Sequence, residues 1–238
     1  MRREVPGMVK ALVFDVFGTL FDWRASLIES FESFGRERGI EADWPALVES
    51  WREAYAPSME RVRRGEVPWM NLDALHRASF DQLAPRYGLE ALDESERVRC
   101  VRFWHELEAW PDVRPGMARL RERFVVGPLS NGNVALLVDL ARRARVEFDV
   151  ILSAEIFRHY KPDFETYRGA VELLGVAPSE LMLVAAHNGD LHKAAECGLQ
   201  TAFVARAEWG PGQTSDLAAD AGIDVVANDL PDLAAKLS

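Results

Sequence analysis

Val9-Lys10-Ala11-Leu12-Val13-Phe14-Asp15-Val16-Phe17-Gly18-Thr19-Leu20-Phe21-Asp22 is a short apolar run that ends in an acid and breaks into a Gly-Thr turn. Such a run reads as a strand buried on both faces, the kind found in parallel sheets. Asp15 then stands at the C-terminal end of that strand, where open α/β sheets bind their ligands. Gly18 and Thr19 follow as a turn that offers backbone N–H groups to an anion. Two residues past Asp15 comes Phe17 rather than a second acid. A carboxylate with an aromatic neighbour in place of a proton donor suits attack on carbon better than phosphoryl transfer. Asp15 also reads as a strand-end residue capping its own turn; the functional reading is preferred because later strands end in polar residues too.

From Phe124 onward short apolar runs alternate with longer stretches of helical spacing, the pattern of repeated βα units on a parallel sheet. Strands are expected at 124–129, 149–152, 181–186, 201–205 and 224–227, and helices at 134–145, 164–174, 191–198 and 214–222. The stretch between Trp23 and Trp110 differs. It carries tryptophan, Arg and Glu at helical spacing without a convincing strand, and predicts helices at 25–38, 46–64, 73–87 and 94–108. The expected organisation is an α/β core of residues 1–22 and 110–238 with a helical cap, 23–109, inserted after the first strand and hinged near 22–24 and 109–113.

With 238 residues and 48% apolar content the chain can bury a full core. A formal charge of -10 argues against nucleic acid as a partner, because gripping phosphates takes clustered cations. The two cysteines, Cys100 and Cys197, form no CxxC pair or metal-ligand cluster. No run approaches the roughly 20 apolar residues of a membrane span, and the basic opening Met1 to Gly7 leads into no signal-like apolar stretch. A reducing cytoplasm is the expectation.

Polar residues recur at the ends of the later strands. Ser130-Asn131-Gly132 supplies a hydroxyl and an amide ahead of a helix, and reads equally as an N-cap and turn. Lys161-Pro162 holds a cation on restricted backbone, able to neutralise Asp15. Tyr167 reads either as core or as a hydroxyl reaching back to the site. The fourth loop, Ala185-Ala186-His187-Asn188-Gly189-Asp190, brings a second carboxylate, which orients water or caps the next helix. His187 reads three ways: as a proton relay, as a donor to halide or carboxylate, or as a turn residue bonded to backbone.

With these residues assembled the chain resembles the haloacid dehalogenase superfamily and, within it, the type II 2-haloacid dehalogenases. The matching stretches are Phe17 to Asp22, Trp51-Arg52, Leu129 to Gly132, and Tyr160-Lys161-Pro162 with Tyr167 following. The resemblance implies a Rossmann-like parallel sheet with an inserted helical cap. It implies a catalytic set of Asp15, Thr19, Ser130, Lys161, Tyr167 and Asp190, with Arg52 and Asn131 holding the departing halide. Phe17 and Trp69 would wall the pocket, and His187 and Asn188 would face the substrate. One departure stands out. The best-known members have Ser-Ser-Asn followed by Trp and Asp in the fourth loop, where this chain has Ala185, Ala186, His187, Asn188, Gly189 and Asp190.

The resemblance implies that a 2-haloalkanoate binds with its carboxylate against the amides after Asp15, Ser130 and Lys161. Asp15 displaces the halide to form an aspartyl ester, and water oriented by Asp190 frees a 2-hydroxyacid. No metal or cofactor is needed, since halide leaves without protonation. The rival is a magnesium-dependent phosphomonoester hydrolase, which would need a proton donor where Phe17 stands. A non-catalytic binding module would leave Asp15, Lys161 and Asp190 as charges gathered without a use. The cap tryptophans suggest a homodimer.

Overall fold

The computed structural model describes residues 8–238, so the opening segment 1–7 and its part of the core assignment lie outside the described residues. β1 (Ala11–Phe14) and β2 (Phe21–Asp22) lead into α1 (Trp23–Arg38), α2 (Trp44–Glu53), α3 (Tyr55–Arg63), α4 (Leu72–Leu83) and α5 (Glu94–Arg102). The chain returns through β3 (Glu108–Ala109) and α6 (Val113–Arg121) to β4 (Val125–Ser130), α7 (Val134–Ala144), β5 (Leu152–Ser153), α8 (Ala154–Phe157) and α9 (Phe164–Leu174). It closes with β6 (Leu181–Ala185), α10 (Asn188–Glu196), β7 (Gln200–Val204), β8 (Val225–Ala227) and α11 (Leu230–Lys236).

Six strands form one sheet in the order β5-β4-β1-β6-β7-β8, every pairing parallel. β1 lies in its middle and is wholly buried, as its unbroken apolar run requires. Its alternation divides the two layers: Leu12 and Phe14 join one core, Ala11 and Val13 the other. This α/β architecture with a helical block between β2 and β3 is the one the sequence predicts.

The cap helices begin and end where capping chemistry says. Asp22 accepts from Ala25 N–H at the start of α1, Gly39 closes it in the left-handed region, and Asp93 with Glu96 makes a capping box for α5. Their shared core is aromatic. Phe31 stacks on Trp44 at 5.7 Å and meets Phe103 edge-on at 5.1 Å, with Trp51 and Phe80 alongside. Truncating one such ring costs about 3–5 kcal/mol. Trp23, Trp44, Trp51 and Trp104 are buried in this way, while Trp69 is only partly buried.

Several boundaries differ from expectation. The single helix expected over 46–64 is interrupted at Ala54, because Pro57 has no N–H to bond the Glu53 carbonyl. The helices expected over 73–87 and 94–108 end earlier in 3₁₀ turns, and β2 and β3 form a small antiparallel pair at the hinge. No helix forms over 214–222. There Asp216 accepts from both the backbone and the side-chain N–H groups of Asn188, a side-chain anchor that competes with helical bonding. The short α6, α8 and α11 are additions to the expected elements.

Where the helical block joins the sheet, the chain is tied to the first loop. Trp110 donates its indole N–H to Gly18 O at 2.8 Å, and Arg206 donates to Thr19 O at 2.9 Å while gripping both oxygens of Asp112.

Candidate active site

β4, β1 and β6 are neighbours in a parallel sheet, so their carboxyl ends open on one edge. Asp15 follows β1, with its N–H bonded to Val184 O of β6 at 3.0 Å. Gly18 at φ +83 turns the chain so that Thr19 lies back over the strand end. The Thr19 hydroxyl donates to Asp15 Oδ2 at 2.8 Å and accepts from Ala186 N–H at 2.9 Å, joining the β1 loop to the β6 loop.

Lys161 arrives from the other side of Asp15. Its backbone N–H is held by Asn131 Oδ1 at 2.7 Å, and its ammonium donates to Asp15 Oδ1 at 2.8 Å and Asp190 Oδ2 at 2.5 Å. Asp190 lies in the first turn of α10, and its second oxygen accepts from the Tyr167 hydroxyl of α9 at 2.5 Å. Tyr167 is therefore both core and site residue. His187, N-cap residue of α10, completes the group: Nδ1 lies 3.1 Å from Asp15 Oδ2 and Nε2 lies 2.7 Å from Glu208 Oε1. Glu208 in turn accepts from the Trp23 indole at 2.7 Å.

The electrostatics follow from burial and pairing. Burial alone would push the Asp15 carboxyl up, but the Lys161 ammonium and the His187 imidazole outweigh it and hold Asp15 well below the usual carboxylate range. Burial likewise opposes the charged forms of Lys161 and His187. The flanking carboxylates reverse that, raising Lys161 and lifting His187 to about 10. Burial also works against ionised Glu208, whose bond to His187 nonetheless lowers its pKa. Asp15 is thus an ionised, nearly dehydrated carboxylate between two cations.

It faces a cavity of about 440 Å³ lined by Phe17, Arg52, Tyr55, Met59, Asn131, Lys161, Tyr167, His187 and Asp190. Arg52 lies over the Tyr55 ring at 4.3 Å and the Trp23 ring at 5.3 Å, and its Nη1 is buried with no hydrogen-bond partner. A buried guanidinium N–H left unpaired is costly to the fold unless an anion meets it. Phe17 is fixed edge-on between Tyr55 at 6.2 Å and Trp104 at 5.5 Å.

Asp15, Phe17, Arg52, Asn131, Lys161, Tyr167, His187 and Asp190 of the sequence-derived set thus meet at one cavity, and Thr19 supports Asp15 from behind. Three do not line it. Trp69, which the resemblance alone put at the pocket wall, lies in the connection between α3 and α4 and stacks on Tyr160 at 4.7 Å in a separate cluster. The Asn188 side chain turns to Asp216 and Ala218. Ser130 is fully buried and accepts from Gly132 N–H. That bond, with the one from Lys161 N–H to Asn131, occupies two of the amides expected to cradle a substrate carboxylate. Sequence reasoning missed Tyr55, Met59 and Glu208. Arg52, Tyr55 and Met59 stand at i, i+3 and i+7, a spacing that could have placed them on one face. Glu208 follows β7, and an acid beyond that strand end carried the same signal as Asp15.

A divalent cation does not fit this arrangement. Two cationic side chains, Lys161 and His187, already flank Asp15, and Phe17 brings no second acid beside it. Among the described residues one group with metal-ligand spacing occurs, His159, Asp163 and Glu165, and none of these lines the cavity.

Residues 9–185 match the model of the haloacid dehalogenase-like hydrolases. A crystal structure of an L-2-haloacid dehalogenase superposes with a TM-score of 0.94 at 50% identity, covering 96% of this chain and 98% of the other. That of the Xanthobacter autotrophicus L-2-haloacid dehalogenase with chloropropionic acid covalently bound gives 0.81 at 25% identity, covering 96% and 98%. The (S)-2-haloacid dehalogenase 4A of Burkholderia cepacia is 29% identical over 208 residues, 83% of this chain and 84% of that one. With its sheet order, its cap and a family match across most of its length, this chain belongs to the haloacid dehalogenase-like hydrolases.

Proposed function

We propose that this protein hydrolyses short 2-haloalkanoic acids to 2-hydroxyalkanoic acids through an ester on Asp15, with the S preference named in its relatives. One observation carries the reading: an ionised carboxylate, Asp15, shares a cavity with Arg52, whose buried Nη1 holds an unmet donor. Asp15 is the nucleophile and Arg52, with the Asn131 amide, receives the halide. Charge develops on the halogen as the C2–halogen bond breaks, so a donor fixed in a dry site acts most strongly there. Phe17, Tyr55 and Met59 give the apolar wall for a short alkyl chain. The cap, 23–109, supplies Arg52, Tyr55 and Met59, and the core, 1–22 and 110–238, supplies the carboxylates and Lys161.

Water then attacks the ester carbonyl carbon. Asp190, fixed by Lys161 and Tyr167, takes its proton, and Asp15 is regenerated. One displacement at C2 inverts it, so an (S)-2-chloropropanoate gives (R)-lactate. Phosphomonoester hydrolysis is the weaker reading, because Phe17 provides no leaving-group acid and Lys161 with His187 surrounds Asp15 with fixed positive charge.

The deciding experiment measures halide from (S)-2-chloropropanoate with metal-stripped protein in EDTA, beside p-nitrophenyl phosphate with magnesium. Halide release with inversion at C2 is the expected result. Phosphate release alone overturns the reading, and so does an Asp15→Asn variant that turns over normally.

A further inference from the structure

We propose that His187, oriented by Glu208, forms with Thr19 the cradle for the oxyanion when the Asp15 ester is hydrolysed, and that Asp15 Oδ1 is the oxygen that attacks carbon. The proposal rests on the ester reading above and deepens it.

A carboxylate offers about four lone-pair sites, two on each oxygen. Asp15 Oδ2 receives both the Thr19 hydroxyl at 2.8 Å and His187 Nδ1 at 3.1 Å, and is full. Among the described residues Oδ1 receives Lys161 alone, at 2.8 Å. Only Oδ1 keeps a pair to form a bond to C2. As that bond forms, the C2–halogen pair leaves on the halide, and Oδ2 becomes the carbonyl oxygen of the ester. Water attacking Cγ then drives the carbonyl pair onto Oδ2, where two donors already stand. Collapse breaks the Cγ–Oδ1 bond, and the product departs with that oxygen. One water proton passes through Asp190 to the departing alkoxide, and the other goes to solvent as the new carboxyl ionises.

The placement of His187 is built rather than incidental. A Cβ on Gly18 would overlap Glu208 Oε2 and lie 3.3 Å from His187 Cε1, so the first loop leaves room for the pair by carrying glycine. Trp23 holds Glu208 from the far side at 2.7 Å. The charged groups around the imidazole are Asp15 and Glu208 in contact, with Lys161 beyond Asp15 and Arg52 near Glu208. The two contacting carboxylates raise its pKa to about 10, so it donates from both nitrogens through the neutral range. Glu208 touches no reacting atom; it is a positioning residue.

The test separates the two chemical steps. Rapid-quench halide release and intact-mass analysis of (S)-2-chloropropanoate turnover are compared in the parent, His187→Gln and Glu208→Gln. Loss of one oxyanion donor slows such a step by about 10²- to 10³-fold. The expected result is a halide burst within about threefold of the parent, a steady-state rate lowered on that 10²-fold scale, and accumulation of the propanoyl adduct on Asp15. Nitrogen-15 spectra of His187 should show it protonated to near pH 10 in the parent and titrating lower in Glu208→Gln. That spectrum keeps the assignment testable if His187→Gln folds poorly. Equal slowing of burst and turnover overturns the oxyanion role, as does turnover unchanged in both variants, and a neutral His187 at pH 7 in the parent overturns the role of Glu208. Absence of any adduct and any halide from the parent would instead sink the ester reading itself.

Discussion

Lys161 and Asp190, twenty-nine residues apart, are joined by a 2.5 Å bond between ammonium and Oδ2, and the same ammonium reaches Asp15 at 2.8 Å. One cation therefore bridges the two carboxylates. Remove it and Asp15 keeps only His187 to offset its burial, so its pKa rises. Lys161→Met should lower halide release at pH 7 by about 10³-fold or more, since the Asp15 nucleophile depends on that charge and Asp190 loses the bond that fixes it. Part of the activity should return as pH rises and Asp15 ionises again. A pH–rate profile checks this, and a flat residual rate from pH 6 to 10 would refute it.

Arg52 is held by flat contact with the Tyr55 and Trp23 rings, geometry that a lysine cannot copy. Arg52→Lys should therefore behave nearly as poorly as Arg52→Ala, each losing about 10²-fold or more in the halide-releasing step. The loss should be larger for 2-chloropropanoate than for 2-bromopropanoate, because the weaker carbon–bromine bond needs less help at departure. Pre-steady-state halide release on both substrates measures it. Equal losses would mean that Arg52 binds substrate without assisting departure.

Gly18 couples backbone conformation to the site. Its φ of +83 and the overlap that any Cβ would make with Glu208 Oε2 set two separate penalties for a side chain here. Gly18→Ala should destabilise the fold by about 2–4 kcal/mol, which for a domain of this size lowers Tm by about 4–16 °C. It should also displace Glu208, so that the His187 imidazole titrates at lower pH. Calorimetry with nitrogen-15 spectra tests the pair of effects, and a loss of stability with an unmoved imidazole would place the strain elsewhere.

How far the sequence carried depended on whether a residue's role was local. Asp15 was legible because an apolar run, an acid and a Gly-Thr turn lie in one stretch, and Lys161 and Asp190 because each follows a strand of the same parallel sheet. Glu208, beyond the end of β7, carried the positional signal of Asp15, but not its use, which depends on Trp23, 185 residues away, and on His187. Trp69 was placed by resemblance alone, and its direction is set by the connection between α3 and α4 and its stacking on Tyr160, which no local pattern encodes. The expected helix over 214–222 failed because Asp216 bonds Asn188, a tertiary contact that outweighs local propensity. Strand existence thus survived where helix ends did not, because burial of six adjacent strands is one cooperative requirement and each cap is a separate one.

His76 gives a prediction about stability rather than catalysis. It is 2% exposed, stacked on Trp104 at 4.2 Å, and neither ring nitrogen has a hydrogen-bond partner. Burial drives its pKa down from 6.5 to about 3, with Asp73 opposing and Arg52 and His105 reinforcing the shift. The folded state thus holds His76 neutral while the unfolded chain protonates it below 6.5. The resulting stability is complete above pH 6.5 and is lost as pH falls toward 3, by about 3 kcal/mol between pH 7 and pH 4. His76→Phe keeps the ring stack and removes both unmet polar atoms, so at pH 7 it should be neutral or stabilising by about 1 kcal/mol. At pH 4 its advantage over the parent should widen by those further ~3 kcal/mol. Urea unfolding of both proteins across pH 4 to 8 measures the difference, and parallel pH curves would show that His76 is already charged in the fold.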